Sequence, residues 1–458
     1  MAGIPVPALM ASLLQLQQDF VDLRLGMFVH FNMATYQDRE WGDPLGPMTD
    51  FNPTSLDTEQ WATAAKSAGM TFGCLTTKHH DGFCLWPTST GSPSVAMSSF
   101  MGDVVRSYAD SFRKHGLKVG LYYSILDLRS DIRHFNVTHA KIDLIKRHLT
   151  ELLTSYGEIN VLIFDGWDAP WSRISYEEVP FHEIYALVKR LQPNCLICDL
   201  NAASYPTSGL YYSDIKAFEQ NAGQHLPSGN VLPALTCVTL ADGWFFKSSD
   251  GSASLKLAAQ VVEEWLVPQN RLGCTMVLNA PPDRSGRLAP NVVARLAEIG
   301  SLWKRNEVPP RVSASIAITT SDLAHGCAIH ASSSADTVGP DLANDGSFRT
   351  SWVPDDGQTS GWLEITFRRP VSFNTLALVS VVGASEAEPP HRLASFKFSI
   401  PSADGWKVIA EGREPAAVEM LRVAQVTAPK LRLEVDGATH PPHIAQIGVY
   451  DEPEAKSA

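Results

Sequence analysis

The chain has 458 residues, too many for one ordinary core, so two domains are expected, one of them large enough to be a barrel. Hydrophobic residues make up 44% and charged residues 19%, the balance of a globular protein rather than a disordered one. The formal charge of −12, with no long basic run, argues against a nucleic-acid partner, and no apolar run approaches membrane-spanning length.

Met1 to Phe20 contains no Lys or Arg, and Pro5 and Pro7 interrupt its apolar residues. A signal peptide's basic start and apolar middle are missing, so a cytoplasmic location is expected, or a secreted one if a leader has been removed. Residues 9 to 24 then read as a short helix. Gly26 to Phe31 reads as a first strand, ending near His30. Asp57 to Ala68 has helical spacing and an acidic start, and Gly69 ends it. Strand two, Phe72 to Thr77, runs straight into Lys78-His79-His80-Asp81-Gly82. Asp103 to His115 is a helix closed by Gly116, and Lys118 to Ser124 is strand three. A sequon, Asn136-Val137-Thr138, matters only on a secreted chain, and a longer helix follows over Thr138 to Tyr156.

Strand four carries the most information. Ile159 to Phe164 is apolar enough to be buried on both faces, and Asp165 stands at its end, followed by Gly166, Trp167 and, further on, Trp171. A charge ending a buried strand is costly unless solvated or partnered. Further along, Tyr176 to Leu191 is helical, Cys195 to Leu200 is strand five, and Tyr211 to Phe218 and Ala234 to Leu240 are strands six and seven. Leu255 to Leu266 is a helix, Thr275 to Asn279 is strand eight, and Ala289 to Arg305 is the closing helix. Seven cysteines lie scattered through these strands. Cys195 and Cys198 have CxxC spacing, but a strand would send them to opposite faces, so buried thiols are expected.

Eight strands alternating with helices over about 300 residues have the pattern and size of a (β/α)8 barrel. After Pro309-Pro310, short alternating runs such as Trp362 to Phe367, Leu376 to Val379, Leu431 to Val435 and Ile444 to Tyr450 read as a β-sandwich, with a frayed tail from Glu452. The expected class is therefore α/β: a TIM-like (β/α)8 barrel over residues 1–308, then an all-β sandwich over 309–458.

In such a barrel the chemistry sits at the C-terminal ends of the strands. Those ends carry His30, His79, His80, a tyrosine of strand three, Asp165, Asp199, Glu219 and Trp244. Alternation selects the tyrosine, because Val119 and Leu121 suit the helix-facing side and leave Tyr122 toward the axis. Histidines and acids at one mouth could bind a metal. The adjacent His79-His80 pair is not the i, i+4 pair of zinc proteases, and hydrogen bonding to a polyhydroxylated ring is the reading adopted, with no metal assigned.

Several of these runs resemble the retaining α-L-fucosidases of glycoside hydrolase family 29. The resemblance is carried by Phe51-Asn52-Pro53 with Trp61-Ala62, by Thr76-Thr77-Lys78-His79-His80-Asp81-Gly82-Phe83-Cys84-Leu85-Trp86-Pro87, and by Gly120 to Ser124. Phe164-Asp165-Gly166 and Leu278 to Asp283 with Gly286 add to it, over roughly residues 20 to 305. It implies a barrel with an appended β domain, a fucosylated oligosaccharide as substrate, and no cofactor; a homo-oligomer is left open. Asp165 falls on the nucleophile, and His30, His79, His80, Tyr122 and Trp41 fall on fucose-binding positions. Glu219 is chosen as acid/base, with Glu40 as the alternative. Trp244, Phe245 or Trp167 could form the apolar wall that the sugar's methyl group requires. Retention needs two carboxyls roughly 5–5.5 Å apart. Some two-domain members favour α-1,3/1,4-linked fucose, and the other function considered is a catalytically inactive, fucose-binding lectin-like protein. Asn344-Asp345-Gly346-Ser347-Phe348-Arg349-Thr350-Ser351-Trp352 resembles discoidin-type (F5/8 C) modules, which often bind carbohydrate or calcium.

Overall fold

A computed structural model describes residues 12–201, 210–248, 255–306, 308–313, 315, 317–336, 338–348, 350–380, 393–415, 418–437 and 440–453. The chain divides into two compact units, the second beginning at residue 316 but also including Leu210 and Tyr211.

The first unit is built on eight parallel strands in the order β5-β4-β3-β2-β1-β9-β8-β7, a nearly closed barrel. These are β1 (Leu25–Val29), β2 (Phe72–Lys78), β3 (Lys118–Ser124), β4 (Val161–Asp165), β5 (Leu196–Asp199), β7 (Lys216–Glu219), β8 (Ala234–Thr239) and β9 (Cys274–Asn279), with a short β6 (Leu210–Tyr211) outside the sheet. Helices Thr58–Ser67, Val104–Lys114, His139–Ser155, Phe181–Leu191 and Pro290–Leu302 alternate with them as expected. Every residue of β1, β2, β4 and β9 is buried; β1 and β4 read as apolar runs for that reason, whereas β2 and β9 also bury Thr76, Thr77, Lys78, Thr275 and Asn279. Inward side chains such as Phe28, Tyr122, Ile163, Cys198, Cys237 and Val277 fill the barrel. The leading helix α1 (Leu13–Val21) closes its N-terminal end: Phe20 packs on Phe72, and Thr275 Oγ1 donates to the Phe20 carbonyl at 2.8 Å.

Two expectations shift. The single strand anticipated over Tyr211 to Phe218 breaks at Tyr212, whose φ of 50° lies in the left-handed region. Leu210–Tyr211 pairs with Ala317–Ile318 within the second unit, and the barrel strand is Lys216–Glu219. Between β5 and β7 the barrel is joined by Asp214. Its backbone N–H donates to Ile197 O at 2.8 Å, and its Oδ2 accepts from Ile197 N at 2.9 Å and Lys189 Nζ at 2.8 Å. The helix expected over Leu255 to Leu266 is a π-helix over Gln260–Leu266 that continues as an α-helix to Arg271. Pro268 lies at its junction, where a residue without an N–H interrupts the regular ladder. All seven cysteines are free thiols, six of them buried.

The second unit is an antiparallel sheet with the order β11-β12-β15-β13-β14, and β16 on the other side of β12. Its strands are β10 (Ala317–Ile318), β11 (Ala328–Ala331), β12 (Ser360–Ser380), β13 (Ser395–Ser402), β14 (Gly405–Arg413), β15 (Val418–Asp436) and β16 (Ile444–Tyr450). The sequence shows β12 as two short strands because Arg368-Arg369-Pro370 separates them. The register between β12 and β15 indeed shifts there, between Thr366 and Val371. Such irregularities bend a strand, and residues from both halves of β12 face one core around Trp352, Phe373 and Phe398. Trp352 and Asn344 of the discoidin-like run are buried and structural: Trp352 Nε1 donates to Ser333 O at 2.9 Å and Asn344 Nδ2 to Ala324 O at 2.8 Å. Arg349 lies outside the described residues. Glu452, expected in a frayed tail, is instead buried and accepts from the backbone N–H groups of Thr319 at 2.8 Å and Thr320 at 2.9 Å.

Candidate active site

At the C-terminal end of the barrel a cavity is lined by Phe28, His30, Glu40, Trp41, His79, His80, Tyr122, Asp165, Trp171, Leu200, Glu219 and Trp244. Asp165 is its floor. The turn beyond it is made by Gly166 at φ 69°, where an added Cβ would stand 2.9 Å from Leu126 Cβ. That turn folds the Gly166 N–H back onto Asp165 Oδ1 at 2.7 Å, and Asn201 Nδ2 donates to the same oxygen at 2.5 Å. The other oxygen, Oδ2, accepts from the Tyr122 hydroxyl at 2.6 Å. Tyr122 faces the axis and Tyr123 the surrounding helices, where its hydroxyl meets His148 Nδ1 at 3.0 Å; the alternation argument selects the right tyrosine.

Two adjacent histidines can both line the cavity because the strand is irregular before them. The β2–β3 register shifts between Thr76 and Lys78, and such a bulge re-aims the residues that follow it. Hydrogen-bond bookkeeping assigns the tautomers. Asn279 Nδ2 donates to Trp244 O at 2.7 Å, so Asn279 Oδ1, 2.8 Å from His30 Nδ1, accepts. Ser124 gives its one proton to Leu126 O at 2.8 Å, so His80 Nδ1 donates to Ser124 Oγ at 2.7 Å. Both rings therefore carry a proton-free Nε2. Burial pushes His30 down to about 3 and His80 to about 4, and holds His79 well below the usual histidine range. At neutral pH the three rings are uncharged hydrogen-bonding groups. His79 keeps its buried Nδ1 without a partner among the described residues. His80 Nε2 stands 3.5 Å from Asp165 Oδ2; with the imidazole neutral, these are two acceptors face to face rather than an ion pair. A donating hydroxyl near them relieves that contact.

The two candidate acids differ in their partners. Glu219 ends β7, and burial first, then the charge of Asp165, pushes its carboxyl up to about 7, against a hydrogen bond from the Trp244 indole. Glu40 also lines the cavity, but its Oε1 is 2.6 Å from Lys247 Nζ and its Oε2 accepts from Trp244 N at 3.0 Å. Both Glu40 oxygens are thus engaged, one by Lys247 and one by the Trp244 backbone. Glu40 secures the loop that presents Trp244.

Trp167, expected at the sugar wall, is a correction. It is fully buried, donates through Nε1 to Val179 O at 3.1 Å, and packs on Phe164, Tyr176 and Phe181. Phe245 is buried too, behind His30 and His79. The apolar lining comes from Phe28, Leu200 and Trp244, and the rim from Trp41 and Trp171, whose rings lie 4.8 Å apart and each within 4.6 Å of His80. Trp167→Ala should therefore cost about 3–5 kcal/mol of stability, read as a lowered Tm. Trp171→Ala should leave Tm unchanged and raise KM. Exchange of these two phenotypes would refute the assignment.

Asn201 is the residue that sequence reasoning misses. Its signal was faint, an Asn just past the end of strand five. As for metals, His79, His80 and Asp165 each offer a ligand atom within 4.8 Å of the others, so these three could hold a cation among the described residues. The same atoms are the hydrogen-bonding groups described above. Among the described residues no helix is long and apolar enough to cross a membrane.

Comparison with known proteins follows the same lines. Residues 34–308, more than half of the chain, match the family model described as Alpha-L-fucosidase. Alpha-L-fucosidase 1 of Arabidopsis thaliana is 28% identical over 456 residues, covering 93% of this chain and 85% of that protein. A glycoside hydrolase 29 family member from an unknown rumen bacterium superposes with a TM-score of 0.54 at 25% identity, covering 99% of this chain and 78% of that one. A Ruminococcus gnavus GH29 fucosidase solved in complex with fucose shares the fold, with a TM-score of 0.52 at 18% identity, over 100% of this chain and 98% of that one.

Proposed function

Because the chain belongs to the alpha-L-fucosidase family, we propose that it hydrolyses terminal α-L-fucosyl linkages of oligosaccharides by a retaining double displacement, with Asp165 as nucleophile and Glu219 as acid/base. The observation that carries this reading is the pair of carboxyls lining one cavity in different environments. Asp165 is surrounded by donors that suit a carboxylate, while Glu219, near 7, still carries a proton in much of the enzyme at neutral pH. In the first step an Asp165 lone pair bonds to the anomeric carbon as the glycosidic C–O bond breaks, and the Glu219 proton goes to the leaving oxygen. In the second, Glu219 takes a proton from water, the water oxygen bonds to that carbon, and the pair of the ester C–O bond returns to Asp165.

Neutral His30, His79 and His80 offer hydrogen-bonding positions to the ring hydroxyls, and Phe28, Leu200 and Trp244 an apolar face to the methyl group. A preference for α-1,3/1,4-linked fucose belongs to the same proposal. It is supported by the half-exposed Trp41 and Trp171 at the rim, which present faces to a neighbouring sugar. The test is incubation with oligosaccharides carrying α-1,2, α-1,3, α-1,4 or α-1,6 fucose, with the first-formed anomer followed by NMR. Release of α-fucose, fastest from the 1,3 and 1,4 linkages, is expected. Binding without release would favour the lectin reading, and β-fucose as first product would overturn retention.

A further inference from the structure

We propose that Asn201 is a positioning residue that assigns the two oxygens of Asp165 different tasks and makes that carboxylate a better leaving group in the second displacement; this rests on Asp165 being the nucleophile. Oδ1 accepts from Asn201 Nδ2 at 2.5 Å and from Gly166 N at 2.7 Å, which occupies both of its in-plane lone pairs. Oδ2 accepts from Tyr122 at 2.6 Å and otherwise faces His80 Nε2, which carries no proton. Only Oδ2 keeps a lone pair for the anomeric carbon. Oδ2 forms the bond, and Oδ1 becomes the ester carbonyl, still held by its two donors.

Asn201 is itself fixed. It is buried, and its backbone N–H donates to Asp199 Oδ1 at 3.0 Å, while Asp199 Oδ2 accepts from the Tyr176 hydroxyl. Asp199, an acid at the end of β5, does not line the cavity, and this anchoring is the task the geometry gives it.

The energetic consequence is asymmetric. A donor on Oδ1 interacts strongly with a carboxylate and weakly with an ester carbonyl. When water expels Asp165, negative charge returns to the carboxylate, so the Asn201 hydrogen bond strengthens on the way to that transition state and accelerates the step. In the first displacement charge leaves the carboxylate, so the same bond weakens and holds that step back. Losing it should slow deglycosylation roughly tenfold without slowing glycosylation.

The experiment uses the full-length protein and dinitrophenyl α-L-fucoside. Asn201→Leu keeps the side-chain shape without the donor, and Asn201→Ser, smaller and less prone to disturb folding, withdraws it from reach. In either variant kcat should fall about tenfold with KM falling at least in step, so kcat/KM does not fall. A pre-steady-state burst of dinitrophenolate should appear, with a fucosyl adduct on Asp165 seen by intact-mass and peptide analysis. A merely structural role would depress kcat/KM and produce neither burst nor adduct. Equal losses in kcat and kcat/KM, or wild-type kinetics in a folded variant, would overturn the proposal. Labelling of the wild type with a 2-fluoro-fucoside separates the two levels. If Asp165 is not labelled, the nucleophile assignment falls; if it is labelled and the variants show no burst, only the role of Asn201 falls.

Discussion

Asp165→Asn should retain the fold and lose turnover by at least about three orders of magnitude, because no covalent intermediate can form. The fold should survive because the substituted amide can be satisfied. Its oxygen can keep the N–H donors of Gly166 and Asn201, and its NH2 can face the Tyr122 oxygen and the proton-free His80 Nε2. The replacement is isosteric and its hydrogen bonds can be remade, so Tm should stay near that of the wild type. Fucose binding should also persist, since the His30, His79 and His80 rings that face the cavity are unchanged. Calorimetric titration with fucose and the steady-state rate on an aryl fucoside check this together. Activity near the wild-type level would remove Asp165 from the chemistry, and a collapse of Tm would show that its role is structural.

The barrel was legible because its strands are buried on both faces and its helices begin and end on recognisable residues: Asp57 and Asp103 accept from the N–H groups of Gln60 and Arg106 at 2.9 and 2.8 Å. Period-two alternation was enough to choose Tyr122 over Tyr123. It could not describe His79 and His80, where a bulge rather than periodicity sets direction, and there the motif carried the reading. Trp167 and Trp171 lie in a segment without repeat, so neither periodicity nor composition says which ring is core. The seam at Asp214 was hidden for another reason: a carboxylate standing in for a strand's hydrogen bonds leaves no apolar pattern. Asn201 belongs to the same class. Its importance lies in one hydrogen bond to a residue 36 positions away, which no local window contains.

Glu219→Ala should cripple natural oligosaccharide hydrolysis while sparing the first displacement on a dinitrophenyl fucoside, whose leaving group needs no proton. The wild-type kcat/KM on a natural substrate should fall as pH rises through about 7, because the acid form is the reactive one and burial with the Asp165 charge holds Glu219 there. That basic limb should be missing in the mutant on the activated substrate. Azide, which needs no general base, should restore turnover and yield the α-fucosyl azide, since each of two displacements inverts the centre. The same charge also explains how one residue serves both steps. Once Asp165 is esterified its negative charge is gone, the Coulombic part of the upward push on Glu219 disappears, and the carboxyl becomes more acidic just when it must act as a base. Glu40 stands 2.6 Å from Lys247 Nζ and accepts from Trp244 N at 3.0 Å. Glu40→Ala should loosen Trp244, raise KM and show no azide product. Should the azide product come from Glu40→Ala instead of Glu219→Ala, the two roles are exchanged; rescue of neither would remove the two-carboxylate mechanism from this chain.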